Sequence, residues 1–284
     1  MGEKIAIVTD STSDLRKDEL NKYGIYSIPL KVIYNDRQYH DRVDITPSEV
    51  YENMETEIPT TSMPSPQEID DVYSELRDKG YTHIISIHIS AGLSATYSNC
   101  RMVADQIEGI EVEVIDSQML SKGLGRLVLY AVELVDSGQY SFNEIIEKVE
   151  TKKDRIEMIF VVETLKYLKK GGRIGKVSGT IAEMLNIKPI ISIDEDGEYY
   201  TYDKVRGRSR SLKKMFEIMK SKIKKKKRYI VDVVHAAAEV EAEKLINKFK
   251  ELPSIEETFL GEISPVMVVH TGPGLIGIVL TELD

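Results

Sequence analysis

Short apolar runs rich in β-branched residues alternate along this chain with segments of helical periodicity. Continuous apolar runs are typical of strands buried on both faces of a sheet. Between them, apolar residues recur at intervals of three and four over 100–107 and 212–219, which predicts helices with one core-facing side. The alternation predicts an α/β fold of βαβ units with largely parallel sheets. The predicted strands are KIAIVT (4–9), HIISIHI (83–89), VEVID (112–116), MIFVV (158–162), KPIISI (188–193), YIVDVV (229–234) and PVMVVH (265–270).

The length of 284 residues exceeds the usual size of a single hydrophobic core and predicts two domains. The best boundary is the charged stretch ETKKDRIE (150–157), which follows a long helical region and precedes a new strand. We therefore predict an N-terminal α/β domain over 1–155 and a C-terminal α/β domain over 156–284, with a ligand in a cleft or tunnel between or beside them.

The net charge of −9 argues against binding to nucleic acid or to an anionic membrane surface. The single Cys100 excludes an internal disulfide, and the five histidines show no metal-ligand spacing. The first apolar run is too short for a signal peptide, and no stretch is apolar enough to insert stably in a bilayer. We expect a cytoplasmic protein without a bound metal.

Polar loops follow several of the predicted strands. In an open α/β sheet the carboxyl ends of parallel strands meet at one edge, where ligands bind. We therefore expect these loops to lie around one crevice. Asp10, in the first loop, is either a catalytic acid or metal ligand, or it organises the neighbouring loops beside an N-cap cluster over 11–14, and the cap is the favoured interpretation. The loops are TDSTSDL (9–15), SAGLSATYSN (90–99), DSQ (116–118) and HTGPG (270–274).

The motif GLSAT around Ser94 approximates the G-x-S-x-G nucleophile elbow of α/β-hydrolases. Asp116 and His270 follow in the chain order of the hydrolase triad, so a serine acyl hydrolase using these three residues is the alternative function. Against it, Thr96 occupies the position of the second glycine, which the cramped turn of the elbow needs.

A helix cap at Ser94 gives a second interpretation of the same loop. Its hydroxyl, beside the free N–H groups of Ala95 and the next residue, makes an anion site that needs no base. A carboxylate fits there, and Thr61 and Ser62 in PTTSMPSP (59–66) add hydroxyl donors. The segment 119–135 is apolar over more than one face, which indicates either a buried core helix or one that also lines a tunnel.

Taken together, the motifs resemble those of the DegV family of bacterial fatty-acid-binding proteins. The resemblance spans essentially the whole chain and implies two α/β domains with one long-chain fatty acid, of the palmitate, stearate or oleate class, between them. The shared motifs are VTDSTSDL, PTTSMPSP, SAGLSATY, VIDSQMLSKGLG, ETLKYLKKGGRIGKVSG, LNIKPIISIDEDG and HTGPGLIGI.

The resemblance also implies roles for individual residues. Thr61 and Ser94 match the carboxylate-binding threonine and serine of the family, and His270 matches the histidine of the same hydrogen-bond network. Arg173 and Arg206 resemble arginines that face a partner protein or its phosphates.

That partner is implied to be an ATP-binding fatty acid kinase subunit, which phosphorylates the carboxylate. The chain itself is then a carrier with no catalytic residue and no cofactor. Ala95 departs from the glycine that the family commonly has, but its N–H remains available to a carboxylate.

Overall fold

The computed structural model describes residues 3–180 and 187–283, which contain thirteen strands and ten α-helices. The strands are β1 (Ile5–Asp10), β2 (Tyr26–Ile28), β3 (Lys31–Ile33), β4 (Gln38–His40), β5 (Thr60–Ser62), β6 (His83–His88), β7 (Glu111–Asp116), β8 (Ile156–Val161), β9 (Ile187–Ile193), β10 (Tyr199–Arg206), β11 (Tyr229–His235), β12 (Ile255–Glu262) and β13 (Ile276–Glu282). The helices are α1 (Lys17–Tyr23), α2 (Pro47–Asn53), α3 (Pro66–Asp78), α4 (Thr96–Ala104), α5 (Ser121–Ser137), α6 (Phe142–Lys152), α7 (Lys166–Lys170), α8 (Arg208–Lys222), α9 (Glu239–Lys250) and α10 (Pro265–Thr271).

The first sheet has four strands in the order β2-β1-β6-β7, and all neighbours are parallel. Its central strands are buried along nearly their whole length, as continuous apolar runs require when helices cover both faces. The prediction of βαβ units is confirmed for this sheet. A separate antiparallel sheet in the order β4-β3-β5 carries the hydroxyl-rich segment around Thr61.

The second large sheet has six strands in the order β10-β9-β8-β13-β11-β12. Only β11 and β12 are parallel, and every other pair is antiparallel. The α/β class is confirmed, but the expected parallel pairing does not extend to this sheet. The physical reason lies in the connections: β9 and β10 are joined by a short turn, which imposes antiparallel pairing. The last strand, β13, enters between β8 and β11 in the opposite direction.

The run PVMVVH was predicted as a strand and is the helix α10 instead. Ser264 stands at its N-cap with extended backbone, and Pro265 occupies the first helical position, where its fixed φ favours a helix start. Two buried carboxylates accept the first backbone N–H groups: Asp14 from Ser264 at 2.8 Å and Asp41 from Val266 at 3.0 Å. Periodicity alone does not separate a short buried helix from a strand.

The largest apolar cluster contains residues from both halves of the chain, among them Ile85 and Leu124 from the first and Phe160 and Val268 from the second. Ten of the 17 residues of α5 are buried, so this segment is a core helix as predicted. Arg126 of α5 forms a bidentate ion pair with buried Asp232 of β11 at 2.7 and 2.8 Å. The division into domains over 1–155 and 156–284 stays a prediction.

Candidate ligand-binding site

The shortest contact between predicted site residues joins Thr61 to His270. Thr61 lies in β5 and His270 in the last turn of α10, 209 residues apart in sequence. The Thr61 Oγ1 and His270 Nε2 atoms are 2.7 Å apart. The small antiparallel sheet and α10, the helix that was predicted as a strand, therefore bring these two side chains together.

His270 is held as a neutral imidazole. Burial lowers its pKa to about 4, and the positive charge of Arg173 acts in the same direction. Its Nδ1 atom is buried and has no hydrogen-bond partner among the described residues. The ring fits only because residue 171 is glycine, since a Cβ there would overlap the Nδ1 atom.

The loop after β6 places Ser94 at the start of α4. The N-cap position belongs to Ala95, so the expected cap at Ser94 is displaced by one residue. The Ser94 hydroxyl nevertheless accepts from the Thr96 N–H at 3.3 Å and lies 2.8 Å from the Thr96 hydroxyl. Ser94 therefore still stands beside the free N–H groups of the first turn, where a dipole favours an anion.

Asp10 holds the start of the loop between β6 and α4 through hydrogen bonds. Its carboxylate accepts from the Thr12 N–H at 3.0 Å and from the Ile89 N–H at 2.9 Å, and it contacts His88 Nδ1 at 3.0 Å. Asp10 is fully buried, which excludes it from direct contact with solvent. Of the two interpretations made from the sequence, these contacts match the loop organiser.

A cavity of about 120 Å³ gathers the predicted head-group residues, and we call it the head-group cavity. Polar groups converge on it from β5, from the loop before α4 and from α10. All five residues predicted to bind the carboxylate, Thr61, Ser62, Ser94, Ala95 and His270, line this one cavity. Whether they bind a ligand stays a prediction. Its lining includes Thr61, Ser62, Ser94, Ala95, Arg173 and His270, together with Leu30, Met63, Ile89, Leu93, Leu120, Tyr199, Val266 and Met267.

The two arginines that the resemblance assigned to a partner surface lie in different environments. Arg173 forms part of the head-group cavity, where its Nε donates to the Leu93 carbonyl at 3.2 Å and its guanidinium donates to the Gly171 carbonyl at 2.8 Å. Arg206 lies exposed at the end of β10 and does not line this cavity. Arg173 therefore lines the head-group cavity itself, a position that the sequence did not predict.

An apolar cavity of about 20 Å³ adjoins the head-group cavity, and we call it the tail cavity. The two cavities share Leu120, Tyr199 and Met267 in their walls. The start of the segment 119–135 contributes to both, in line with the interpretation that it lines a tunnel as well as the core. The remaining tail-cavity lining is Ser121, Met158, Ile159, Phe160, Val234, Ile263, Thr271, Leu275, Gly277, Ile278 and Val279.

The hydrolase triad does not assemble. The Asp116 carboxylate accepts from the Ala91 and Gln118 N–H groups at 3.1 and 2.9 Å instead of orienting a histidine. His270 uses its Nε2 on Thr61, and among the described hydrogen bonds none joins it to Ser94. A nucleophilic serine needs a base within hydrogen-bond reach and a carboxylate behind that base. The acyl hydrolase interpretation is therefore not supported.

Within 3–180 and 187–283, no group of three His, Cys, Asp or Glu residues stands close enough to hold a metal ion. None of the helices in these ranges is long and apolar enough to cross a membrane.

A family profile described as "Uncharacterised protein, DegV family" matches residues 4–283. A DegV domain-containing protein of Clostridium acetobutylicum is 47% identical over 281 residues, covering 99% of each chain. The chain belongs to the DegV family.

Two solved structures of DegV family proteins match the fold over nearly the whole chain. One is a DegV family protein of Thermus thermophilus described as fatty acid binding, with 32% identity and a TM-score of 0.93, covering 99% of this chain and 100% of that one. The other is DegV of Bacillus subtilis, described as a fatty acid binding protein, with 30% identity and a TM-score of 0.92, covering 99% of each chain.

Proposed function

We propose that the protein binds one long-chain fatty acid, with the carboxylate in the head-group cavity and the acyl chain in an extended tail cavity. The observation that carries the proposal is the junction of the two cavities at Leu120, Tyr199 and Met267. Hydroxyl, imidazole and guanidinium groups lie on one side of the junction, and a mainly apolar lining lies on the other. The fatty acid binding described for structures of the same fold supports this assignment.

Thr61, Ser94 and His270 are the proposed carboxylate ligands, and Ser62 and the Ala95 N–H complete the set of donors. The Thr61 hydroxyl donates its one proton to the carboxylate, and the neutral imidazole with its proton on Nε2 donates to the Thr61 oxygen. Arg173 adds a cation beside the carboxylate, so the head group is compensated locally although the chain carries a net charge of −9.

The acyl chain supplies most of the proposed affinity. Burial of roughly 15 methylenes at about 0.8 kcal/mol each contributes on the order of 10 kcal/mol before ordering costs. The head group then fixes the orientation of the acid and contributes the smaller share of the affinity. The head-group and tail cavities of about 120 and 20 Å³ require the lining side chains to move apart as the chain enters.

We further propose that the bound acid is presented to a separate ATP-binding fatty acid kinase subunit in the cytoplasm, which forms the acyl phosphate. The support is the family resemblance together with the position of the carboxylate ligands. Ser94 is partly exposed and Ala95 is exposed, so a partner reaches the carboxylate from this side. Arg206 is exposed and stays our candidate contact for that partner. The chain needs no cofactor of its own in this scheme.

Mass spectrometry of the purified protein after gentle denaturation tests fatty acid binding. We expect one C14 to C20 acid per chain after expression in bacteria. A protein that carries none, and that takes up none from added palmitate, contradicts the proposal. For the kinase step, the protein serves as bait for an ATP-binding partner, and the pair is assayed for ATP-dependent acyl phosphate. Fatty acid binding without any such partner leaves a regulatory binding module instead of a kinase substrate carrier.

A further inference from the structure

The turn between β9 and β10 (194–198) packs against the loop that carries Ser94, and we call it the β9-β10 turn. The Ser90 hydroxyl, at the start of that loop, donates to the Gly197 carbonyl at 2.8 Å. The two backbones approach closely, because a Cβ on Gly92 would lie 2.6 Å from the same carbonyl oxygen. A turn from the second half of the chain therefore contacts the place where the Ser94 loop begins.

Ser90 is the buried residue at the centre of this contact. It is fully buried, and its hydroxyl accepts from the Gly92 N–H at 3.2 Å while it donates its one proton to Gly197. Its backbone carbonyl accepts from the Leu93 and Ser94 N–H groups at 3.0 and 3.1 Å. A shift of Ser90 therefore moves Ser94, which is one of the proposed carboxylate ligands.

The β9-β10 turn also contacts the segment that carries Arg173, a lining residue of the head-group cavity. Three residues after Arg173, the Lys176 ammonium donates to Asp194 and Asp196 of the turn at 2.6 and 2.8 Å. Lys176 is half-exposed, and exposed ion pairs contribute little to stability. The buried Ser90 hydrogen bond is therefore the contact of the turn whose loss costs more.

We propose that Ser90 is a positioning residue, which through its contact with the β9-β10 turn makes the head-group cavity selective for a carboxylate over an uncharged head group. The inference rests on the proposed fatty acid binding. A buried carboxylate has lost its hydration, so its burial is favourable only when its donors stand at hydrogen-bond distance. An alcohol loses less hydration on burial and tolerates displaced donors. Correct placement of Ser94 therefore stabilises a bound acid more than the alcohol of the same chain length.

The test compares palmitate with 1-hexadecanol, which has the same number of carbon atoms and a different head group. Both displace a fluorescent fatty acid from delipidated protein, after the affinity of that probe for each variant has been measured. The ratio of the two dissociation constants reports the head group, because the contribution of the tail cancels. We expect wild type to bind palmitate about tenfold more tightly than hexadecanol, since hydrogen bonds to a charged group are the stronger ones.

Ser90→Ala removes the donor to the Gly197 carbonyl and is the first variant. We expect palmitate to bind about tenfold more weakly, and hexadecanol within about twofold of wild type, so that the selectivity disappears. A general loss of folding stability weakens both ligands alike and leaves their ratio unchanged. The ratio therefore separates a positioning role from a merely structural one.

Gly197→Ala perturbs the same contact from the other side, since a Cβ at this φ of +77° would overlap the Ser90 hydroxyl. Its matched control is Gly80→Ala, at a φ of +78° and with no described atom within 4 Å of the added methyl group. The matched control for Ser90→Ala is Ser211→Ala, a buried serine outside the cavity lining whose hydroxyl donates to the Gly207 carbonyl at 2.8 Å. We expect Gly197→Ala to lose the selectivity and both controls to keep it within about twofold.

Selectivity that survives in Ser90→Ala and Gly197→Ala overturns the positioning role, and so does equal weakening of both ligands. Urea unfolding checks that each variant is folded, and Gly197→Ala decides the test where Ser90→Ala does not fold. A wild-type protein that binds palmitate no better than hexadecanol overturns the carboxylate selectivity, while the binding of fatty acid stands. A wild-type protein that binds no palmitate refutes the proposed function and the positioning role with it.

Discussion

Replacement of Thr61 by valine gives the sharpest test of the head-group cavity. Valine keeps the volume and the β-branched shape that β5 favours, and only the hydroxyl is lost. In the free protein the change removes the 2.7 Å contact with His270 Nε2. In the complex it removes one hydrogen bond to a carboxylate, worth about 2 kcal/mol because the acceptor is charged. We therefore expect palmitate to bind about 30-fold more weakly.

The assay is displacement of a fluorescent polyunsaturated acid by palmitate from delipidated protein, with urea unfolding of each variant in parallel. The matched control is Thr60→Val on the same strand, where the side chain is exposed and its hydroxyl makes only a 3.5 Å contact with the Ile33 carbonyl. We expect the control to bind within about twofold of wild type, because its hydroxyl forms no strong hydrogen bond. Equal palmitate affinity of Thr61→Val and wild type would refute the assignment of Thr61 to the carboxylate.

Three further predictions concern the same site and the core beneath it. Ser94→Ala should weaken palmitate binding about tenfold in the displacement assay, with Ser98→Ala on the exposed side of α4 as the unaffected control. The pKa of His270 is lowered to about 4 in the folded state, so the unfolded chain binds the extra proton below pH 6.5 and stability is lost as pH falls from 6.5 to 4. Relative to His270→Gln, wild type should lose about 3 kcal/mol over that window in urea unfolding, and parallel pH profiles would contradict the burial of a neutral imidazole. Arg126→Met leaves Asp232 buried without its cation and should cost about 3 kcal/mol or more of unfolding free energy, whereas the double variant with Asp232→Leu should recover most of it.

The parallel sheet and the gathering of loops at its edge could be predicted from the sequence. Continuous apolar runs bounded by polar turns identify buried strands, and the edge rule then places Ser94 near the crevice. Pairing direction in the second sheet was not predictable in this way, because the same runs suit parallel and antiparallel neighbours. The short turn between Ile193 and Tyr199 was the available signal for the antiparallel pair.

The convergence of Thr61 and His270 depends on a helix that the apolar run did not reveal. Ser264 followed by Pro265 is a helix-start signal, whereas the β-branched residues after it favour a strand. Arg173 was assigned to the partner surface, since nothing in the sequence shows that its side chain reaches the Leu93 carbonyl, 80 residues away. The Gly171-Gly172 pair next to Arg173 indicates that another group packs closely against the backbone there. In the structure that group is the His270 ring, which packs against Gly171.

Helix α10 also bears on whether the two halves of the chain can be recombined between relatives. It lies within 156–284, yet Asp14 and Asp41 of the first half hold its beginning and Thr61 contacts its end. In a chimera joined near residue 155, the helix comes from one parent protein and all three of its contact residues come from the other. A chimera with a functional head-group cavity therefore needs the segment 264–271 and the first half of the chain from the same parent protein, although the two are far apart in sequence.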